Sequence, residues 1–211
     1  QEGGRGRVVH LASPDDAPAL ARVSSAIDDL RVLGRLCRSR IGLVGVPSEW
    51  LVASVPAFEA VREVWGPETV NVDLAGVLEA PLVEPDDRAL GLAASFAGGA
   101  AATREPRAEG VRQAATVFGA LSDLVARERL DAVAVRCFDL VTRRGTSGCL
   151  ALSALNDAGC VAACEGDLAS AVGMLWVREL LRTASWMANP SHADAVTGLL
   201  RAGEPLQAPG P

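Results

Sequence analysis

"CVAACEGDLASAVGMLW", residues 160–176, carries the reading of the fold. A run of small apolar residues ends in Cys164-Glu165-Gly166-Asp167, and a segment with helical spacing begins at once. Cys160–Cys164 reads as a short buried strand. Leu168–Arg182 reads as a helix turning Leu175, Trp176 and Leu180 towards the core. A strand that passes directly into a helix is the repeating unit of a parallel sheet covered on both faces. Glu165 and Asp167 at the seam fit two uses: starting the helix, or forming the acidic half of a site.

The same unit recurs outward from this stretch. Val8–Ala12 reads as a strand with His10 packed in it, and Ala17–Cys37 as a helix opened by Asp15 or Asp16. Ile41–Val46 is a second strand, and Ser48 or Ser54 starts a helix over Phe58–Trp65. The alternation in Thr69–Leu74 gives a third strand. After a break marked by Pro81, Pro85 and AGGAA, residues 104–130 form a long helix interrupted near Gly110 and Gly119. Asp131–Cys137 is a strand, Arg143–Gly148 a loop able to offer N–H groups to a phosphate, and Cys149–Asp157 a helix. Ser185–Ala188 and Val196–Leu200 read as two further strands. The expectation is an α/β protein with Rossmann-like parallel sheets flanked by helices, in two lobes. Residues 1–7 are predicted disordered, 8–100 form the first lobe, 101–200 the second lobe with the acidic site, and 201–211 a loose tail.

Composition sets limits. The chain has 211 residues, 49% hydrophobic and only 4% aromatic, so Leu, Val and Ala build the core. All 20 basic residues are Arg, and they are spread out under a net charge of −6, which argues against a nucleic-acid surface. The lack of Lys excludes Schiff-base chemistry and a P-loop lysine. With His10 and His192 as the only histidines, a three-His metal site cannot form within one chain. The five cysteines read as reduced and buried, with a zinc pair at Cys160 and Cys164 as the minor alternative. No apolar run approaches the ~20 residues that span a bilayer, and a cytoplasmic location is expected.

Ligands of doubly wound sheets sit outside the carboxyl ends of the strands. Two strands here end in charge: one in Arg136-Cys137-Phe138-Asp139, the other in Cys164-Glu165-Gly166-Asp167. Neighbouring strands lie ~4.8 Å apart, so Asp139, Glu165 and Asp167 are expected to converge on one rim. Carboxylates that close repel unless a cation shares them, and Mn²⁺ or Mg²⁺ suits oxygen ligands. The alternative has Asp167 as a helix cap and Arg136 pairing with a neighbouring acid.

The run from RCFDL through GCLALSALNDAGCVAACEGDLASAVGM to WMANPSHADAV, 136–196, together with RIGLVGVPSEWLVAS, 40–54, resembles the L-fucose and L-arabinose isomerase superfamily. The resemblance implies Mn²⁺ held by Asp139 and Asp167, which also form the acid/base pair moving a proton between C1 and C2 of an aldose. Glu165 would assist. Arg136, Trp50 and Asn189 would contact a small sugar-like substrate, in a homo-oligomer. The chain departs from the pattern where the superfamily carries a metal-binding His before a Cys: Arg201 and Ala202 stand there. An Arg competes with a metal instead of binding it, and Arg201 would suit an anionic substrate. Two functions follow: a divergent isomerase-type enzyme, or a non-catalytic homologue that binds a ligand or partner subunit.

Overall fold

In a computed structural model, the described residues are 6, 8–80, 85–102, 107–195 and 197–202. The order is α1 (Ala17–Leu36), β1 (Arg40–Val44), α2 (Phe58–Ala60) running into a π-helical turn (Val61–Trp65), β2 (Glu68–Val72), α3 (Ala75–Leu78), α4 (Asp87–Gly99) and α5 (Ala108–Glu128). There follow β3 (Ala132–Val135), α6 (Phe138–Arg144), α7 (Cys149–Asp157), β4 (Val161–Ala163), α8 (Leu168–Leu181), β5 (Pro190–Ala193) and β6 (Leu200–Ala202).

Four strands form one parallel sheet in the order β2-β1-β3-β4. β1 pairs with β3 from Ile41↔Ala132 to Val44↔Val135, so strands from both sides of residue 100 share a sheet. The strands are short apolar runs because both faces are covered. Alternate residues go to opposite sides: Val133 and Val135 join Leu121, Leu124, Leu140 and Leu155 on one face, while Ala132 and Ala134 join Leu36, Leu168 and Leu175 on the other. The α/β, Rossmann-like expectation therefore holds. The order of strand addition reverses between β1 and β3, with β2 placed on one side of β1 and β3 on the other, the place where a crevice opens at the carboxyl edge of such sheets.

Helix starts follow the predicted chemistry in part. Asp16 accepts from Ala19 N at 3.0 Å, Asp86 from Ala89 N at 2.8 Å and Asp167 from Ser170 N at 2.7 Å. Each occupies an N–H that the helix leaves open. Ser48 and Ser54 start nothing: α2 begins after Ala57 with no side-chain cap. Gly110 and Gly119 lie inside an uninterrupted α5.

Other expectations are corrected. Val8–Ala12 is not a strand. Val8 is 96% exposed, His10 is exposed instead of packed, and Ala12 N is taken by Asp16 Oδ2 at 3.0 Å. Ser185–Ala188 is irregular, and the late strands are β5 and β6, an antiparallel pair with His192 opposite Arg201. Arg143 and Arg144 close α6 instead of lying in a loop. Leu180 is 54% exposed, on the solvent side of α8. Cys37 and Cys149 are exposed, not buried. Among the described residues no helix is long and apolar enough to cross a membrane.

Candidate functional site

The carboxyl ends of β1, β2 and β3 open into a cleft of about 800 Å³. β1 leaves the sheet at Gly45, whose N–H still reaches Val72 O at 2.9 Å. Its φ of 83° favours glycine, and a Cβ there would stand 3.1 Å from that of Arg136. This missing side chain lets Arg136 lie across the strand ends. Arg136 Nε donates to Asp139 Oδ1 at 2.7 Å and its NH1 to Pro47 O at 2.9 Å. One turn on, Arg143 NH1 stands 3.7 Å from Asp139 Oδ2. Asp139 is thus set between two guanidiniums and lines the cleft with them. The third cation, Arg144, is committed to backbone: NH1 donates to Leu78 O and NH2 to Ala80 O at 2.9 Å. From β2 come Asn71 and Asp73, the latter holding Ala75 N at 2.8 Å.

The β4 turn is built differently. Glu165 and Gly166 both take positive φ, 62° and 72°. A non-glycine residue in that region stores about 1 kcal/mol of strain. The turn is closed by Gly166 N on Val135 O at 2.9 Å and Asp167 N on Cys164 O at 3.1 Å. Gly166 lies so close to the β1 loop that a Cβ would meet Pro47 Cα at 3.0 Å. Both oxygens of Asp167 serve Ser170, Oδ1 from N at 2.7 Å and Oδ2 from Oγ at 2.8 Å. Glu165 Oε2 accepts from Trp50 Nε1 at 2.8 Å, and the Trp50 ring meets Phe138 edge to face at 5.1 Å. Beneath the turn, Glu165 N donates to Cys137 Sγ at 3.4 Å. The Cys164 thiol, hydrogen-bonded to Cys137, holds the Cys137 thiol down to about 7. That same bond, with burial, raises Cys164 far above the ordinary thiol range.

Asp139 and Asp167 thus spend their oxygens on separate partners, Arg136 and Arg143 for the one and Ser170 for the other. Asp139 belongs to the arginine cleft, Asp167 caps α8, and Glu165 pairs with Trp50; neither Asp167, Glu165 nor Trp50 lines the cleft. Arg136 takes the alternative role of pairing with an acid. Asn189 is exposed on the loop before β5 and also lies off the cleft. Arg201 is placed by its backbone on β6; its side chain lies outside what is described.

Mn²⁺ does not fit this donor set. A guanidinium holds one oxygen of Asp139, and Asp167 is filled by its own helix. Among the described residues no group of three or more His, Cys, Asp or Glu could hold a metal ion. Two of the amides expected to meet a phosphate are occupied, since Gly145 N reaches Val141 O and Thr146 N reaches Leu140 O to end α6.

Sequence reasoning missed Arg143, Asp73 and Asn71. The signals were present: Arg136, Asp139 and Arg143 are spaced i, i+3 and i+7, one helical face. Asp73 follows β2 as Asp139 follows β3.

No protein-family model matches the chain. It is similar to the sulfoquinovose isomerase of Alkalicoccus urumqiensis, 25% identical over 171 residues, which cover 81% of this chain and 38% of that protein. It is also similar to the sulfoquinovose isomerases of Priestia aryabhattai and Priestia megaterium, each 26% identical over 193 residues, covering 87% of this chain and 42% of theirs. The chain thus spans about two fifths of the length of the curated relatives it matches. These relatives are sugar isomerases; none is named for fucose or arabinose.

Proposed function

We propose that this chain forms the ligand-holding α/β part of a sugar-isomerase-type enzyme that takes a small anionic sugar. The observation that carries the reading is Asp139 set between Arg136 and Arg143 on a cleft at the β1–β3 crevice. The likeness to sulfoquinovose isomerases supports both the reaction class and the anionic substrate, since sulfoquinovose is a sulfonated hexose. Arg143, the most exposed of the three cleft arginines and only loosely paired with Asp139 at 3.7 Å, is the guanidinium positioned to meet a sulfonate.

In aldose–ketose exchange a base takes the proton from C2, the C–H electrons form the C1=C2 bond of an enediolate, and the carbonyl π electrons move to oxygen. The proton then returns to C1 while the proton of the C2 hydroxyl passes to O1 and the C2 carbonyl forms. Asp139 is the carboxylate placed to move it, and Arg136 the donor placed to hold the enediolate oxygen. Asp167 enters as the cap that fixes the β4 turn, and Glu165 with Trp50 as the wall beside it. Self-association belongs to the same reading, supported by the exposed Leu20, Ile27, Leu30 and Leu33 of α1 and checked by sedimentation velocity.

The test is incubation with sulfoquinovose in D₂O, followed by NMR. Deuterium at the carbon beside the carbonyl, lost in Asp139→Asn, is the expected result; absence of both binding and exchange overturns the reading. One observation favours a second reading, ligand binding without turnover: both oxygens of Asp139 already face guanidiniums. Chemical-shift changes without deuterium incorporation would establish it.

A further inference from the structure

The neighbouring carboxyl ends of β3 and β4 bring three sulfur atoms together beneath the Glu165 turn. Cys137 Sγ accepts from the N–H of Glu165, the residue next to Cys164, at 3.4 Å, and both cysteines pack in one apolar cluster. Met187 Sδ lies 4.0 Å from Cys164 Sγ and accepts from Cys164 N at 3.4 Å. Cys137 is 7% exposed, whereas Cys164 lines a separate cavity of about 370 Å³ that also contains Asn156, Trp186 and Met187. Neither thiol has a place in the proton transfer proposed above. The pairing follows from topology: Ala134 and Ala163 are in register, so the two chains leave the sheet side by side.

We propose that Cys137 and Cys164 are a modification site, a dithiol that a hydroperoxide closes to a disulfide across the β3 and β4 ends. The open cavity admits a water-sized oxidant to Cys164. The thiolate of one cysteine attacks the peroxide oxygen, forming a sulfenic acid and releasing water or an alcohol. The second thiol attacks that sulfur, forming the S–S bond and releasing water. Two sulfurs lose one electron each, and the peroxide takes both. The bond would fix Cys164 against Cys137, whose Sγ now receives the Glu165 N–H, and would fasten the left-handed turn to the strand that carries Arg136. Met187, as a thioether, cannot complete the bond and stands as a contact to the reduced form.

The experiment treats the whole reduced chain with dilute hydrogen peroxide, blocks remaining thiols with an alkylating agent, and maps peptides by mass spectrometry. The expected product is a peptide pair linked through Cys137 and Cys164, with Cys160 alkylated and the melting temperature raised under non-reducing conditions. In Cys164→Ser the same treatment leaves a sulfenic acid at Cys137, which dimedone captures. Far-UV circular dichroism confirms that this variant folds, and Cys164→Ala is its substitute where Ser disturbs the site. A map in which oxidation falls on exposed Cys37 and Cys149 while the 137–164 link is missing overturns the proposal. So does a link between any other two cysteines.

Discussion

The β1–β3 cleft and the β4 turn lie at the same edge of one sheet and use their charges in opposite ways. In the cleft, Asp139 and Arg136 pair across the mouth of a large hollow, and Arg143 is left 63% exposed beside them. In the turn, Asp167 is consumed by the N–H and hydroxyl of Ser170 at the start of α8 and Glu165 by the Trp50 indole. A carboxylate after a strand is therefore not yet a site. It becomes one where the backbone needs its oxygens least.

The largest effect that would break this contrast comes from Arg136. Replacing it by Met leaves Pro47 O and Asp139 without their donor in a partly buried place, 19% and 22% exposed for the paired side chains. The expected loss is about 2–3 kcal/mol of stability in urea denaturation, together with loss of sulfonate binding. Unchanged stability would show the pair to be solvated and the cleft unsupported.

Arg143→Ala comes next. Stability should stay within about 0.5 kcal/mol, while affinity for a sulfonated sugar falls about tenfold, or 1.4 kcal/mol. Calorimetric titration at low and raised salt checks it, because an exposed charge contact weakens as salt rises.

The turn is sharpened by Asp167. Asp167→Ala should cost about 1 kcal/mol as a lost helix cap, whereas Asp167→Asn, itself a good cap, should cost only a few tenths. Neither should alter ligand affinity at the cleft. A large loss of affinity in Asp167→Asn would bring the two regions into one site. The smallest expected effect is on metal: Mn²⁺ titration should give the same curve for wild type and Asp167→Asn.

Much of the architecture could be read along the chain. Strand-to-helix alternation is written in runs such as Asp131–Cys137 and Cys160–Cys164, because a strand covered on both faces must be apolar throughout. The caps Asp16 and Asp167 were legible too, since an acid before a helix has a local use. Val8–Ala12 misled because apolar residues favour a strand only where another strand is present to pair with. The candidate site was half legible: Arg136 and Asp139 stood out at the end of a strand, whereas Arg143 and Asp73 on the same cleft were passed over.

The sequence alone determined what is local: which apolar runs build the parallel sheet, which acids start helices, and which chemistries the lack of Lys and scarcity of His exclude. Only the tertiary structure decided that β1 lies beside β3, which opens the cleft where Arg136, Asp139 and Asp73 meet. It also decided that the left-handed turn at Glu165 keeps Asp167 on its own helix. Hydrogen bonds within a turn are set by neighbours in the chain, while the order of strands in a sheet is set by burial of both its faces, a property no single segment carries.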